Sequence, residues 1–177
     1  MNKLPTVVFR VMLILSGFIF SSSALSSSEN EFQGAQKIVN LGSIGIKQSL
    51  ISKNINLKNN PGAVFDEVAS FFEPNLDFEK IGIVTLGDAW KSATVEQKAK
   101  FKIAFQGLFV RAYSRAILNK SQADFSIIDT QKNKACVKVR LEVSGTKSPA
   151  KEVVDYYLSQ QGDDWKVYNV KVNGISL

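Results

Sequence analysis

TVEQKAKFKIAFQGLFVRAYSRAILN (residues 94–119), followed by VKVRLEV (residues 137–143), decides the fold class. In the first stretch Phe101, Phe105, Leu108, Ala112, Tyr113 and Ala116 recur every three or four residues, the period of a helix. Val95, Ile103, Phe109 and Ile117 widen that stripe. Thr94 is a good N-cap residue, and Gln97 three places on completes a capping box. In the second stretch Val137, Val139, Leu141 and Val143 alternate with Lys138, Arg140 and Glu142, the pattern of a strand with one covered face. An apolar stripe as wide as the one on the helix must pack against more than one neighbour, or against a ligand.

Working toward the N-terminus, the helical period persists. Residues 33–53 form a first helix with Ile38, Leu41 and Ile44 or Gly45 along one side, weakened by Gly42 and Gly45. The NNPG turn at 59–62 doubles as a helix start, with Pro61 near the first helical position. Val64, Val68, Phe71 and Phe72 follow at helical spacing, and Glu73-Pro74 ends that helix. Residues 77–87 form a short helix capped by Asp77 and closed by Gly87. Working toward the C-terminus, the period is two. Phe125 and Ile127 start a strand, and Val154, Tyr156 and Leu158 alternate with Asp155, Tyr157 and Ser159. Residues 165–172 make a fourth strand after the QGDD connection at 161–164. The connections at 131–134 and 145–149 suit hairpins.

Helices followed by four antiparallel strands in a meander define an α+β fold, its N-terminal helices packed on one face of the sheet. The inward set on the sheet is then Val139, Leu141 and Val143 with Val154, Tyr156 and Leu158. Phe101, Phe105, Leu108 and Phe109 lie across from it. A solid core and a ligand pocket require the same apolar lining, so periodicity alone leaves both open.

Composition narrows the chemistry. Of 177 residues, 45% are hydrophobic and 21% charged, ordinary values for a globular chain. The departure is phenylalanine, with twelve against two tryptophans and four tyrosines; a ring without a polar tip suits a wholly apolar interior or pocket. The net charge is +6, but the bases are interspersed with acids and form no dense stripe, so no nucleic-acid footprint is present. Histidine is absent, which removes the commonest general base and metal ligand. The single cysteine, Cys136, has no intrachain partner for a disulfide and reads as a small core hydrophobe. Asp163-Asp164 sits in a turn. Asp155 and Tyr157 share a strand face with Lys138 and Arg140, which reads as solvent-facing. No phosphate-binding glycine loop and no activated-serine motif occurs, so the chain is not read as an enzyme and no cofactor or metal is expected.

Residues 1–24 have the three parts of a secretory signal. Lys3 and Arg10 supply the positive start, residues 11–20 (VMLILSGFIF) the apolar run, and Ser22-Ser-Ala24 the small residues of a cleavage site. The expected organisation is a signal peptide over 1–24 and a single domain over 25–177, exported and beginning with a short polar arm at 26–30.

Several motifs, in order, resemble one family. They are EPNLDF at 73–78, LGDAW at 86–90, ATVEQ at 93–97, and the Phe101, Phe105, Phe109, Tyr113 series. Val154-Asp-Tyr156, DWKVY at 164–168 and GISL at 174–177 complete the pattern. Across roughly residues 65–177 the chain resembles the MlaC, or toluene-tolerance, proteins. Two departures stand out: Asn169 replaces an aspartate common in the family, and the chain stops at Leu177 where members usually continue. The resemblance implies a nuclear-transport-factor-like fold whose curved four-stranded sheet and helices enclose phospholipid acyl chains. It implies a lipid-binding lining of Phe101, Phe105, Leu108, Phe109, Tyr113, Val139, Leu141, Val143, Val154, Tyr156 and Leu158. It also implies a monomeric periplasmic shuttle of phospholipid between an outer-membrane MlaA-like lipoprotein–porin complex and an inner-membrane MlaFEDB-like ABC transporter complex, maintaining outer-membrane lipid asymmetry. A carrier of a hopanoid-type lipid and a periplasmic interaction domain with a solid core are the alternatives.

Overall fold

A computed structural model describes residues 25–55, 59–119, 122–145 and 151–176, with the backbone alone for 25–31. The expected signal segment and the 145–149 connection, beyond Gly145, lie outside the described residues. Helical chain comes first: α1 (Leu25–Asn40), a π-helical turn (Leu41–Gly45), α2 (Ile46–Ser52), α3 (Pro61–Asn75), α4 (Phe78–Leu86), the single turn α5 (Asp88–Ser92) and the long α6 (Val95–Asn119). Five strands follow: β1 (Asp124–Asn133), β2 (Cys136–Ser144), β3 (Glu152–Gln161), β4 (Asp164–Val172) and the two-residue β5 (Ile175–Ser176). They form one antiparallel sheet in the order β1-β2-β3-β4-β5.

The α+β meander expected from the sequence is the fold, with one short strand more. β5 exists because Asn173 and Gly174, both at positive φ, make a two-residue turn that folds the chain back onto Lys171 and Val172. The caps are as expected. Asp77 Oδ1 accepts from the Lys80 amide at 3.0 Å, and Gly87 closes α4 at φ 56°. The Thr94–Gln97 capping box is reciprocal, the Thr94 amide donating to Gln97 Oε1 at 2.8 Å and the Gln97 amide to Thr94 Oγ1 at 3.2 Å.

Four local expectations are corrected. The first helix begins at Leu25 rather than residue 33, so the short polar arm at 26–30 is part of it. Its buried line is Ala35, Val39, Ser43, Ile46 and Leu50, whereas Leu41 is exposed. A π-helical turn lies within this line, with Gly42 and Ser43 buried in it. Pro74 lies inside α3, which runs on to Asn75 before Leu76 extends and bridges Val167 of β4. A proline in the last turn removes one hydrogen bond without forcing the chain out of the helix at once. Cys136 is only half-buried: Lys80 Nζ lies 3.1 Å from its Sγ and 4.3 Å from the Tyr168 ring centroid.

The sheet's inner face carries the core. Val137, Val139, Leu141, Val143, Tyr156, Leu158, Trp165, Val167 and Val170 are buried there, against Val64, Val68 and Phe72 of α3 and Ala35 and Val39 of α1. The outer face carries charge. Arg140 donates through Nε and a terminal nitrogen to both Asp155 oxygens, at 2.7 and 2.9 Å. This two-pronged bond holds the Asp155 carboxyl below its usual range. Asp155 was expected to face solvent, and it is on the outer face, but it is 7% exposed. It stands between Arg140 on β2 and Lys171 on β4, whose long stems flank it on a central strand.

The link between α4 and α5 shows how tightly the helical layer is fitted. Trp90 is buried, donates to Glu79 Oε1 at 2.8 Å, meets the Phe101 ring edge-on at 5.2 Å and lies under Lys98. A Cβ at Gly82 would lie 2.5 Å from three atoms of that indole. With Trp90 held on three sides, Gly82→Ala should lower the unfolding free energy by about 1–3 kcal/mol in urea titration.

Candidate apolar ligand cavity

The site grows from the geometry of α6. Rings at spacing four stack down the helix: Phe101 to Phe105 at 5.6 Å, Phe105 to Phe109 at 6.2 Å and Phe109 to Tyr113 at 5.9 Å between centroids. From α3, Phe72 meets Phe109 and Tyr113 edge-on at 4.9 and 4.6 Å, fixing the buried side of the column. Toward the other side stand Leu108, Ala112 and Ala116, one row round the helix. Opposite them the sheet presents Leu141, Val143, Val154 and Val172. The walls do not meet, and a cavity of ≈ 400 Å³ separates them. That volume is in the range of small-molecule pockets, roughly 300–1,000 Å³.

Eight of the eleven residues expected to line a lipid site border this cavity: Phe105, Leu108, Phe109, Tyr113, Leu141, Val143, Val154 and Tyr156. Three do not. Val139 and Leu158 lie fully inside the solid part of the core, next to each other's strand but nearer the α1 and α3 end of the sheet. Phe101 packs between Trp90 and Phe105. The lining also includes Ala112, Ala116, Ile117, Phe125, Val170 and Val172, which were not singled out as site residues. Ala112, Ala116 and Ile117 were legible in the helical stripe. Val170 and Val172 were hidden by the bulge at Tyr168: Leu158 pairs with Val167 but Tyr157 with Asn169, so one extra residue changes which side chains face inward.

Polarity in the cavity is confined to two hydroxyls. Tyr113 Oη donates to the Gly42 carbonyl in the π-helical turn at 2.7 Å, and lies 3.5 Å from Tyr156 Oη. Burial pushes both phenols above their ordinary range, so both remain protonated well past neutral pH. The lining therefore carries no charge. A smaller cavity of ≈ 240 Å³ adjoins it, sharing Phe105, Phe109 and Val170 and reaching Leu76, Ile81 and Val84, with Thr85, Asn169 and Ser176 at its polar side. Among the described residues no group of three or more acidic, Cys or His side chains could hold a metal, and no helix is long and apolar enough to cross a membrane.

The MlaC protein family matches residues 45–177. The toluene tolerance protein ttg2D of Pseudomonas putida is 30% identical over 123 residues, 68% of this chain and 56% of the relative, so the chain spans little more than half of that relative's length. The intermembrane phospholipid transport system binding protein MlaC of Haemophilus influenzae is 24% identical over 93% of this chain and 76% of its own length. Among solved structures, a phospholipid-binding protein from Ralstonia solanacearum, in complex with a phospholipid, superposes with a TM-score of 0.69 at 23% identity. That superposition covers 81% of this chain and 80% of the other and establishes the common fold.

The Tyr113 hydroxyl ties α6 to the π-helical turn. Tyr113→Phe should reduce stability by about 1 kcal/mol in chemical denaturation, because the Gly42 carbonyl loses its side-chain donor.

Proposed function

The chain belongs to the MlaC family, and from that premise we propose that it is a phospholipid carrier whose acyl-chain site is the cavity between α6 and the sheet. The observation that carries this reading is Leu108: a leucine that lines the cavity yet is 61% exposed, beside Ala112 and Ala116 and across from an equally apolar sheet wall. Two hydrocarbon surfaces held apart by backbone geometry suit an apolar guest, and an uncharged lining admits no ionised one. At roughly 30 Å³ per methylene-sized group the cavity takes on the order of a dozen such groups. At about 0.8 kcal/mol each, sheltering them from water is worth on the order of 10 kcal/mol, which no exposed surface could match. The names of the Haemophilus and Ralstonia relatives, both tied to phospholipid, point the same way.

The fuller role follows the family. In this reading residues 1–24 direct export and are removed, and residues 25–177 act in the periplasm as a monomer. The carrier takes lipid between an outer-membrane lipoprotein–porin complex and an inner-membrane ABC transporter complex, and performs no catalysis. The lining is Phe105, Leu108, Phe109, Tyr113, Leu141, Val143, Val154 and Tyr156, extended by Ala112, Ala116, Ile117, Phe125, Val170 and Val172. Phe101, Val139 and Leu158 support this wall from behind. A solid-core interaction module would instead bring Leu108 and Ala112 onto Leu141 and Val143.

Mass spectrometry of an organic extract of the purified protein tests the reading. Stoichiometric phospholipid is the expected result, and a clean extract from protein never exposed to detergent would sink it. A variant separates the pocket from the core. Ala112→Trp places an indole in the cavity from an exposed helix position and should cut lipid loading by about tenfold with little change in melting temperature. Phe105→Arg should also cut loading by placing a charge on the wall, with a lower melting temperature because Phe105 stacks on Phe101 and Phe109, whereas Leu141 is too deeply buried for that substitution to leave the fold intact.

A further inference from the structure

We infer that Arg111 and Arg115 form a phosphate clamp at the mouth of the cavity, taking the phosphodiester of a lipid whose chains lie inside; this rests on the carrier reading above. The mouth is where cavity-lining residues are exposed, at Leu108, Ala112 and Ala116 on α6. Helical neighbours stand three and four places apart. Arg111 is therefore next to Leu108, Arg115 is next to Ala112, and the two arginines, four apart, are next to each other. Both are exposed. The Arg111 guanidinium leans back over Gly107: a Cβ there would lie 3.8 and 3.9 Å from its two terminal nitrogens. That lean, shared by side chains on any α-helix, brings it alongside Leu108.

The pair is set apart from the other bases of α6. Lys98 reaches Glu79 at 3.5 Å and lies over Trp90, Lys100 pairs with Glu96 at 2.7 Å, and Lys102 lies over the Phe78 ring. Among the described residues Arg111 and Arg115 have no hydrogen bond, ion pair or ring contact. Like charges four apart on a helix repel one another, so the protein keeps a small unfavourable term here with no internal anion to relieve it. A phosphodiester would relieve it. Guanidinium is the side chain best matched to phosphate, because its planar fork donates two parallel bonds. The chains below and the phosphate above then sit within one helical row of each other, the spacing a glycerophospholipid has between its ester carbons and its phosphate. Dephosphorylated diacylglycerol would fill the same cavity and leave the clamp unused.

The test loads the purified protein, stripped of lipid, from vesicles containing either phosphatidylglycerol or diacylglycerol of the same chain composition, and compares it with Arg111→Ala/Arg115→Ala. Wild type should prefer phosphatidylglycerol, and the double variant should lose that preference by on the order of tenfold. Diacylglycerol loading by the variant reports that its cavity and fold are intact. Arg111→Lys/Arg115→Lys should restore only part of the preference, because an ammonium offers charge without the fork. A double variant that retains the wild-type preference overturns the clamp while leaving the carrier standing. Wild type that loads neither lipid overturns both. Displacement of phosphatidylglycerol's advantage by inorganic phosphate at equal concentration would reassign the pair to free phosphate and overturn its role in lipid recognition.

Discussion

Phe72 reaching across from α3 to touch both Phe109 and Tyr113 is the contact on which the arrangement depends. It clamps the buried side of the ring column on α6 to the helical layer and so prevents α6 from settling onto the sheet. Phe71 meets Phe72 at 4.9 Å, and a Cβ on Gly42 would stand 2.9 Å from the Phe71 ring. The glycine in the π-helical turn is what allows α3 that close to the first helix. Its carbonyl then receives the Tyr113 hydroxyl. Three helical segments are thus locked at one point, and the cavity is the space left between that locked layer and the curved sheet.

Much of this was legible in the sequence. The capping box at Thr94 and Gln97, the Asp77 cap, the stripe on 101–116 and the alternation on 137–143 each have a local cause, and each appears where the residues put it. The features that were not legible are those in which the chain departs from its own period. The first helix buries Ala35, Val39, Ser43, Ile46 and Leu50 with Ile38 packed beside them, not the line of Ile38 and Leu41, and it carries a π-helical turn at Leu41–Gly45. The bulge at Tyr168 moved the inward face of β4. Neither departure has a signature in the order of polar and apolar residues, because both are decided by packing against distant segments. The same limit explains the site. The apolar residues of α6 and the sheet were visible, but whether they touch depends on the Phe72 contact, and Val139 and Leu158 fall on the closed side of it.

The cavity's chemistry follows from how little polarity it contains. Tyr113 directs its hydroxyl out of the cavity into the helix backbone, and Tyr156 follows it. No charged side chain lines the cavity: Arg140 and Asp155 satisfy each other on the outer sheet face, and Arg111 and Arg115 lie on the exposed side of α6. A cavity lined this way has no group that titrates over the physiological range, so pH leaves its lining uncharged. Any discrimination among apolar guests by charge must therefore act at the cavity's mouth, where that lining ends.

The two bulges have a further consequence, for the company the protein keeps. β1 and β4 are the long outer strands, and each is interrupted near its middle, at Ile128 and at Tyr168. Leu76 and β5 cover two more stretches of the β4 edge. An uninterrupted edge is a template on which a second chain can add its own strand. Here each outer edge is broken into short, differently angled runs, and Lys132 and Asp129 add charge along β1. A protein with an open apolar cavity already carries one sticky surface, and these irregular margins make a poorer template than a straight edge for the strand of another copy.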